Sequence, residues 1–357
     1  MKYLFLIQGE GRGHMTQALA LAKILRSQNH EITRVIVGKS KRRNIPQFFI
    51  DKIGCELEHL DSPNFVTDKN QKSVKPFRTI VYSLLKSQKY IKSINRIDEI
   101  VKEDQPDVII NFYDFLGGLY NFSRRPKAKF MCIAHQFLIA HPEFEFPPKR
   151  QLDKVSLQMG NRIASLGADK ILALSFQHFD YDHRKKLVVV PPLLREEVKS
   201  KTPTPGDHYL VYMVNPGYAT EVDQFHQNNP EQSLHCFWDK SDKPETYQVD
   251  DSLTYHQLND EKFIDKMANC QGYVTTAGFE SVCEAMYLGK PVLMVPVAGH
   301  YEQACNAVDA KKAGAGIFSD RFDIGLLKEY IPKHVNIQSK FQNWADQSGD
   351  IFLKELT

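Results

Sequence analysis

The sequence predicts an α/β chain with two doubly wound, parallel-sheet domains in tandem. Three observations predict it. Short apolar runs alternate with helical periodicity, the pattern of strands covered on both faces by helices. A proline-rich stretch at 191–206 interrupts that rhythm once, after which it restarts. The length of 357 residues is that of two domains at about 150 residues each.

Taken in order, residues 3–7 read as a buried strand, followed by the glycine-rich loop GEGRGH at 9–14 and a helix over 15–27. Leu19, Ala22, Ile24 and Leu25 give that helix its apolar stripe. The next strand is 32–37. Residues 77–103 read as a long amphipathic helix through Ile91, Ile94, Ile97, Ile100 and Val101. Strand-like runs follow at 107–112, 129–134, 170–174 and 187–190. Pro191 and Pro192 open the interrupting stretch, and Pro203, Pro205 and Gly206 close it; it can neither continue a helix nor occupy a central strand. Beyond it, strands are expected at 209–214, 234–238, 253–256, 272–275 and 291–295, and a polar helical segment from Val335. The expected organisation is a first domain at 1–190, a linker at 191–206, a second domain at 207–334 and a terminal helix at 335–357, with a cleft between the domains.

Hydrophobic residues make up 42% of the chain and charged residues 25%, which excludes a disordered protein. The run 3–7 is too short for the core of a secretory signal, and no stretch approaches the roughly 18 apolar residues of a spanning helix. Cys55, Cys132, Cys236, Cys270, Cys283 and Cys305 include no C-x-x-C pair. That spacing argues against a disulfide scaffold or a structural zinc and fits a reducing cytoplasm. Residues 1–190 carry 31 Lys and Arg against 19 Asp and Glu, and the remainder carries 15 against 24. The basic residues cluster at Lys39, Lys41, Arg42 and Arg43, at Lys72, Lys75 and Arg78, and at Lys86, Lys89, Lys92 and Arg96. One such cluster reads as a solvated face; three in one half point to an acidic acceptor or an anionic membrane surface. Nucleic acid is not expected as a partner, because aromatics do not interleave with these residues.

The loop GEGRGH can turn sharply at Gly9, Gly11 and Gly13 and leaves free N–H groups at a helix N-terminus. It departs from the dinucleotide spacing G-x-G-x-x-G and from the P-loop, and a plain strand–helix turn fits it as well. His14 stands at the carboxyl edge of the expected sheet, where open α/β folds place ligands, and its imidazole could take a proton from an incoming hydroxyl. Asp114 follows a strand on the same edge and could orient that ring, or simply cap a helix. The segment TTAGFESVCEAMYLGKPVLMVP at 275–296 reads as strand end, glycine, helix and next strand. Gly278 allows a phosphate to approach the helix N-terminus near Phe279, with hydroxyls from Thr276 and Ser281, and Glu284 could accept from a ribose diol. Glu302 and Gln303, in AGHYEQACNA at 298–307, are placed for sugar hydroxyls, with Asn306 and Ala307 opening a closing helix. His178, Asp180, Asp182 and His183 could be read as a metal cluster, but exposed loop residues are the expectation and no metal is required. His135 and Gln136 follow a strand and would line an acceptor side; Phe144, Phe146, Pro147 and Pro148 would meet an acceptor or pack as a loop.

Together, TTAGFESVCEAMYLGKPVLMVP, EQACNA and GEGRGHMTQALALAKIL resemble the signatures of GT-B glycosyltransferases. The nearest likeness is to a microbial branch related to bacterial enzymes that add N-acetylglucosamine to lipid carriers. The resemblance implies GT-B architecture: two Rossmann-like domains facing a cleft, with the terminal helix packing back on the first. It implies a catalytic base at His14 with Asp114 as partner, and an acceptor side at Gly11, Arg12, Gly13 and His135. It further implies diphosphate and ribose contacts at Asn215, Gly217, Thr276, Gly278, Phe279, Ser281 and Glu284, sugar contacts at Glu302 and Gln303, and a base cradle at Tyr255, His256 and Gln257. Many relatives carry a histidine or arginine where Thr276 stands, so diphosphate charge would fall to backbone amides and hydroxyls. The activity implied is inverting transfer from a nucleoside diphosphate sugar, with a lean to UDP and no metal, to a glycan or lipid-linked acceptor. The location implied is the cytoplasm, peripheral at the inner membrane face. A nucleotide-sugar 2-epimerase on this fold and a non-catalytic sugar-binding subunit remain open.

Overall fold

A computed structural model describes residues 1–40, 44–63, 87–179, 186–213, 215–240 and 242–357. The chain forms two compact units. The first comprises Met1–Phe144, Pro148–Arg195 and Asp346–Thr357; the second comprises Glu145–Pro147 and Glu196–Ala345.

In the first unit, the described strands are β1 (Lys2–Ile7), β2 (Glu31–Lys39), β3 (Glu56–Asp61), β4 (Val108–Phe112), β5 (Lys129–Ala134), β6 (Lys170–Leu174) and β7 (Leu187–Val190). They form one parallel sheet in the order β3-β2-β1-β4-β5-β6-β7. The helices are α1 (Arg12–Ser27), α2 (Gln47–Ile53), α3 (Ser87–Asp104), α4 (Phe115–Arg124) and α5 (Gln151–Ala164). Every residue of β4 is buried, as are the last five of β1, because helices cover both faces of the sheet. Helix α3 begins within the span expected for it; the rest of that expectation, 77–86, lies outside the described residues. The order reverses between β1 and β4, so the loops after these strands share a topological switch point.

Buried Asn111, in β4, fixes the backbone at that point. Its Nδ2 donates to the carbonyls of Asp114 (2.9 Å) and Ala164 (2.8 Å), and its Oδ1 accepts from Asp114 N–H (3.0 Å). The first glycine of GEGRGH also has a packing reason. A Cβ on Gly9 would stand 1.9 Å from the carbonyl oxygen of Gly38, at the end of β2.

The second unit contains α6 (Glu196–Lys199), β8 (His208–Met213), α7 (Ala219–Asn228), β9 (Ser233–Trp238), β10 (Thr246–Gln248), β11 (Leu253–Gln257), α8 (Asp260–Ala268) and β12 (Cys270–Thr275). These are followed by α9 (Phe279–Tyr287), β13 (Val292–Met294), α10 (Tyr301–Lys312), β14 (Gly316–Phe318), α11 (Ile324–Tyr330) and α12 (Gln338–Ala345). Strand order is β10-β11-β9-β8-β12-β13-β14, parallel except at β10, with its switch point between β8 and β12. Helix α13 (Ser348–Leu356) belongs to the first unit.

The stretch 191–206, expected as a linker, contains the boundary between the two units, at Arg195 and Glu196, and is packed rather than open. Pro191 to Leu194 are buried, Glu196–Lys199 is helical, and the buried Lys290 ammonium donates to the carbonyls of Thr204 (2.7 Å) and Cys270 (2.8 Å). The tail is two helices rather than one. Gln338 and Gln342 of α12 donate to the carbonyl of Tyr287 (3.2 and 2.9 Å), whereas Leu356 of α13 accepts from the Tyr3 hydroxyl (3.3 Å). Strands β3, β10 and β14 escape the sequence pattern because β3 and β10 are polar edge strands and β14 has three residues.

Asn111→Leu should lower stability by about 3 kcal/mol or more, since it removes three buried hydrogen bonds and orphans two carbonyls. A urea midpoint near that of the wild type would contradict this role.

Candidate functional site

In the first unit, Gln8 N–H donates to the carbonyl of Phe112 (3.1 Å), which pins the glycine loop to the end of β4. Gly11 caps α1 in an extended conformation without a side-chain bond, and the first helical turn carries no acid. Arg12 and Gly13 are half-buried in that turn. The N–H groups there keep their positive end. His14 is 6% exposed and lies nearly parallel to Tyr113, with ring centroids 6.0 Å apart and planes 19° apart. Its Nδ1 is 3.3 Å from Gln17 Oε1. Burial lowers its pKa to about 4, against the opposing pull of the Gln17 hydrogen bond, so the ring is neutral at ordinary pH.

The expected His14–Asp114 pair does not form. Asp114 is the N-cap of α4: its Oδ1 accepts from Leu116 N–H (2.7 Å) and from the Ser62 hydroxyl (2.8 Å). A strand end followed directly by a helix needs a cap, and Asp114 fills that position. Its Oδ2 lies against Gly38, where a Cβ would come within 2.3 Å. Burial pushes the carboxyl up to about 6 despite these donors.

Tyr113 itself is left-handed, with φ 60°. Its hydroxyl donates to Asn161 Oδ1 (2.7 Å), and Asn161 Nδ2 donates to the carbonyl of Gln136 (2.6 Å). This chain joins the His14 side to the segment holding His135. That ring is buried, its Nδ1 bonds the carbonyl of Leu174 (2.7 Å), and burial lowers its pKa to about 4. Sequence reasoning missed Gln17, Tyr113, Asn161 and Ser62; only Gln17 had a readable signal, three positions beyond His14 on one helix.

In the second unit, the turn between β12 and α9 takes its shape at Ala277 rather than at the glycine. Ala277 is left-handed (φ 57°) and buried, and Asn306 Nδ2 donates to its carbonyl (3.1 Å). Asn306 lies within α10, which begins at Tyr301 and not near Asn306 as expected. Gly278 is extended at the N-cap of α9, without a side-chain bond, and a Cβ there would meet only Ser281 Oγ, at 3.8 Å. The Ser281 hydroxyl reaches the Gly278 carbonyl at 3.5 Å. Thr276 and Phe279 are buried. Glu284 is 2% exposed, so it does not belong to a solvated helix face. Glu302 is half-buried in the first turn of α10, and Gln303 Oε1 accepts from Val297 N–H (2.8 Å), which leaves its Nε2 donors facing away from that bond.

Asn215 and Gly217 follow β8 beside this turn. They are exposed, and Asn215 Oδ1 accepts from Gly217 N–H (2.9 Å), closing a short 3-10 turn. Along β11, Tyr255 and Gln257 share one face and His256 points to the other. Tyr255 donates to Asp223 (2.6 Å) and stacks on Trp238. His256 bonds His235 (3.0 Å), and Gln257 donates to the carbonyl of Lys243 (3.0 Å).

Of the basic clusters, Lys89 and Lys92 are exposed, whereas Arg96 pairs with Glu58 and Glu99. Lys41, Arg42, Arg43, Lys72, Lys75, Arg78 and Lys86 lie outside the described residues, as do Asp180, Asp182 and His183. Among the described residues, no group of three or more candidate ligands could hold a metal ion, and no helix is long and apolar enough to cross a membrane.

Asp114→Asn keeps a capping oxygen and removes the buried charge. Below about pH 4 the carboxyl is protonated folded or unfolded. As pH rises toward about 6 the unfolded chain ionises first, so wild-type stability falls, and above that the full cost is present. The variant should therefore gain roughly 1–2 kcal/mol on the wild type between pH 5 and pH 8. Parallel urea midpoints across that range would refute a buried, uncompensated carboxyl.

The family model for glycosyl transferase family 1 matches residues 1–333. No curated protein sequence matches. Among solved structures, the chain is similar to the glycotransferase of kitacinnamycin: 14% identity, 99% of this chain and 98% of that one, TM-score 0.64. It is similar to Phytolacca americana UGT2, solved with UDP-2fluoro-glucose and pterostilbene: 13% identity, 98% and 95% covered, TM-score 0.64. It is also similar to Acinetobacter baumannii MurG: 16% identity, 99% and 100% covered, TM-score 0.59. At these identities the structures establish the shared fold, and the family match establishes the class. The chain belongs to glycosyl transferase family 1: it is a glycosyltransferase of two Rossmann-like GT-B units, acting on a nucleotide sugar.

Proposed function

We propose that this transferase moves a sugar from a UDP-sugar to a hydroxyl of a glycan or lipid-linked acceptor, with inversion and without a metal. The observation that carries the reading is His14: a neutral, buried imidazole at the carboxyl edge of the first sheet, bonded at Nδ1 and with no protein hydrogen bond at Nε2 among the described residues. A base so placed deprotonates the acceptor directly, and direct attack on the anomeric carbon inverts it. In the second unit, the N-terminus of α9 at Gly278 and Phe279, with the Ser281 hydroxyl, would receive the diphosphate. Negative charge develops there as the bond breaks. Glu284 would accept from the ribose; Glu302 would accept from hydroxyls of the transferred sugar and Gln303 Nε2 would donate to them. The excess of 31 basic over 19 acidic residues in 1–190 supports cytoplasmic work against an anionic inner membrane face.

A thermal-shift panel of nucleoside diphosphates and nucleotide sugars tests this on wild type and Glu284→Ala. UDP at 100 times its Kd should add about 2.7 kcal/mol of apparent stability, and the variant should lose it. No shift with any nucleotide would sink the donor assignment. Conversion of the donor to its 2-epimer without an acceptor would replace transfer by epimerisation.

A further inference from the structure

His14 lacks the carboxylate partner that an imidazole base commonly has, since Asp114 Oδ1 is bonded to Leu116 N–H and the Ser62 hydroxyl. What it has instead is Gln17. The two lie three residues apart on α1, hence on one face of the helix. His14 Nδ1 and Gln17 Oε1 are 3.3 Å apart, and the residues are 6% and 3% exposed. On the other side, Tyr113 lies along the ring from the end of β4, itself tied to Asn161. Among the described residues, no charged side chain acts on the imidazole at close range.

An amide oxygen can only accept a hydrogen bond, so a bond from Nδ1 requires the proton on Nδ1 and leaves the lone pair on Nε2. We propose that Gln17 is the positioning residue of His14, fixing the tautomer and aim of the ring in the place where a carboxylate would otherwise stand. The inference rests on reading His14 as the base. In the step it serves, the acceptor O–H proton passes to Nε2 while the acceptor oxygen bonds the anomeric carbon. The bond from that carbon to the donor phosphate oxygen breaks, and its electron pair leaves with the diphosphate.

A neutral partner has a consequence that a carboxylate would not. It orients the ring but stabilises the imidazolium less than a fixed anion would, so burial keeps the base unprotonated well into acid. Protonation of His14 in the transfer step is then offset by the surrounding reaction, in which the departing diphosphate gathers negative charge, rather than by a fixed anion beside the ring.

The test uses the full chain with 13C- and 15N-labelled histidine, and His14→Asn to assign the His14 signals. Wild type should show the Nδ1-protonated tautomer and no titration between pH 5.5 and pH 8. Gln17→Met, which keeps the volume and removes the acceptor, should abolish that tautomer preference. Gln17→Glu should raise the titration midpoint by about one pH unit or more. Unchanged nitrogen shifts in folded Gln17→Met, or an unmoved midpoint in folded Gln17→Glu, would overturn the proposal. Kinetics separate it from the reading beneath it, using UDP release from the UDP-sugar that stabilises the protein. Gln17→Met should lower kcat about tenfold or more at unchanged donor KM. Gln17→Glu should restore kcat with its acid limb displaced upward. Wild-type UDP release by His14→Ala would remove His14 as the base, whatever the spectra show of Gln17.

Discussion

A residue other than glycine held in the left-handed region costs about 1 kcal/mol or more and persists only where its surroundings hold it. Each unit of this transferase contains such a residue at the end of a strand at its switch point: Tyr113 immediately after β4, and Ala277 two residues beyond the end of β12. In each unit a buried asparagine amide holds the turn. Asn111 bonds both backbone groups of Asp114, and Asn306 bonds the carbonyl of Ala277. The first turn sets Tyr113 along His14 and aims Asp114 into α4. The second points the open N-terminus of α9 away from any side-chain cap. Both candidate sites thus depend on the same device, a side-chain amide standing in for a backbone partner that a sharp turn lacks.

Much of the fold was legible because central parallel strands are buried on both faces and read as unbroken apolar runs. The runs at 3–7 and 129–134 are of this kind, and every residue of β4 is buried. Edge strands such as β3 carry Glu56 and Glu58, and nothing local distinguishes them from loop. The Pro-rich stretch marks the boundary between the units, but its packing was not legible, because proline excludes regular structure without excluding packing and its anchor, Lys290, lies far away in sequence. The glycine–helix turn at 276–284 was legible from residue chemistry. The Asp114 role was not, because cap and base partner use the same residue at the same place.

The electrostatics of the first site come from burial more than from charge pairs. His14 and His135 are held neutral, and Asp114 is pushed toward its neutral form. The strong ion pairs of this unit lie elsewhere, where Arg34 and Arg96 join Glu58 and Asp104 across β2, β3 and α3. Fixed charge stabilises the scaffold there, whereas at the candidate site both imidazoles are kept neutral by burial. A developing charge is felt most strongly in such surroundings.

The path of the chain has a consequence for biogenesis. The first unit is discontinuous: its sheet is built from the opening half of the chain, but Tyr3 and Lys170 are bonded by Leu356 and Glu355 from the far end. Most of the second unit, Glu196–Ala345, is one uninterrupted segment. On the ribosome, that segment has all of its strands before α13 emerges, while the earlier-synthesised unit must wait with its last helical cover missing. Vectorial synthesis therefore runs against the usual N-terminal-first order. During that interval, the apolar surface that Phe352 and Leu356 later cover is what a chaperone would encounter.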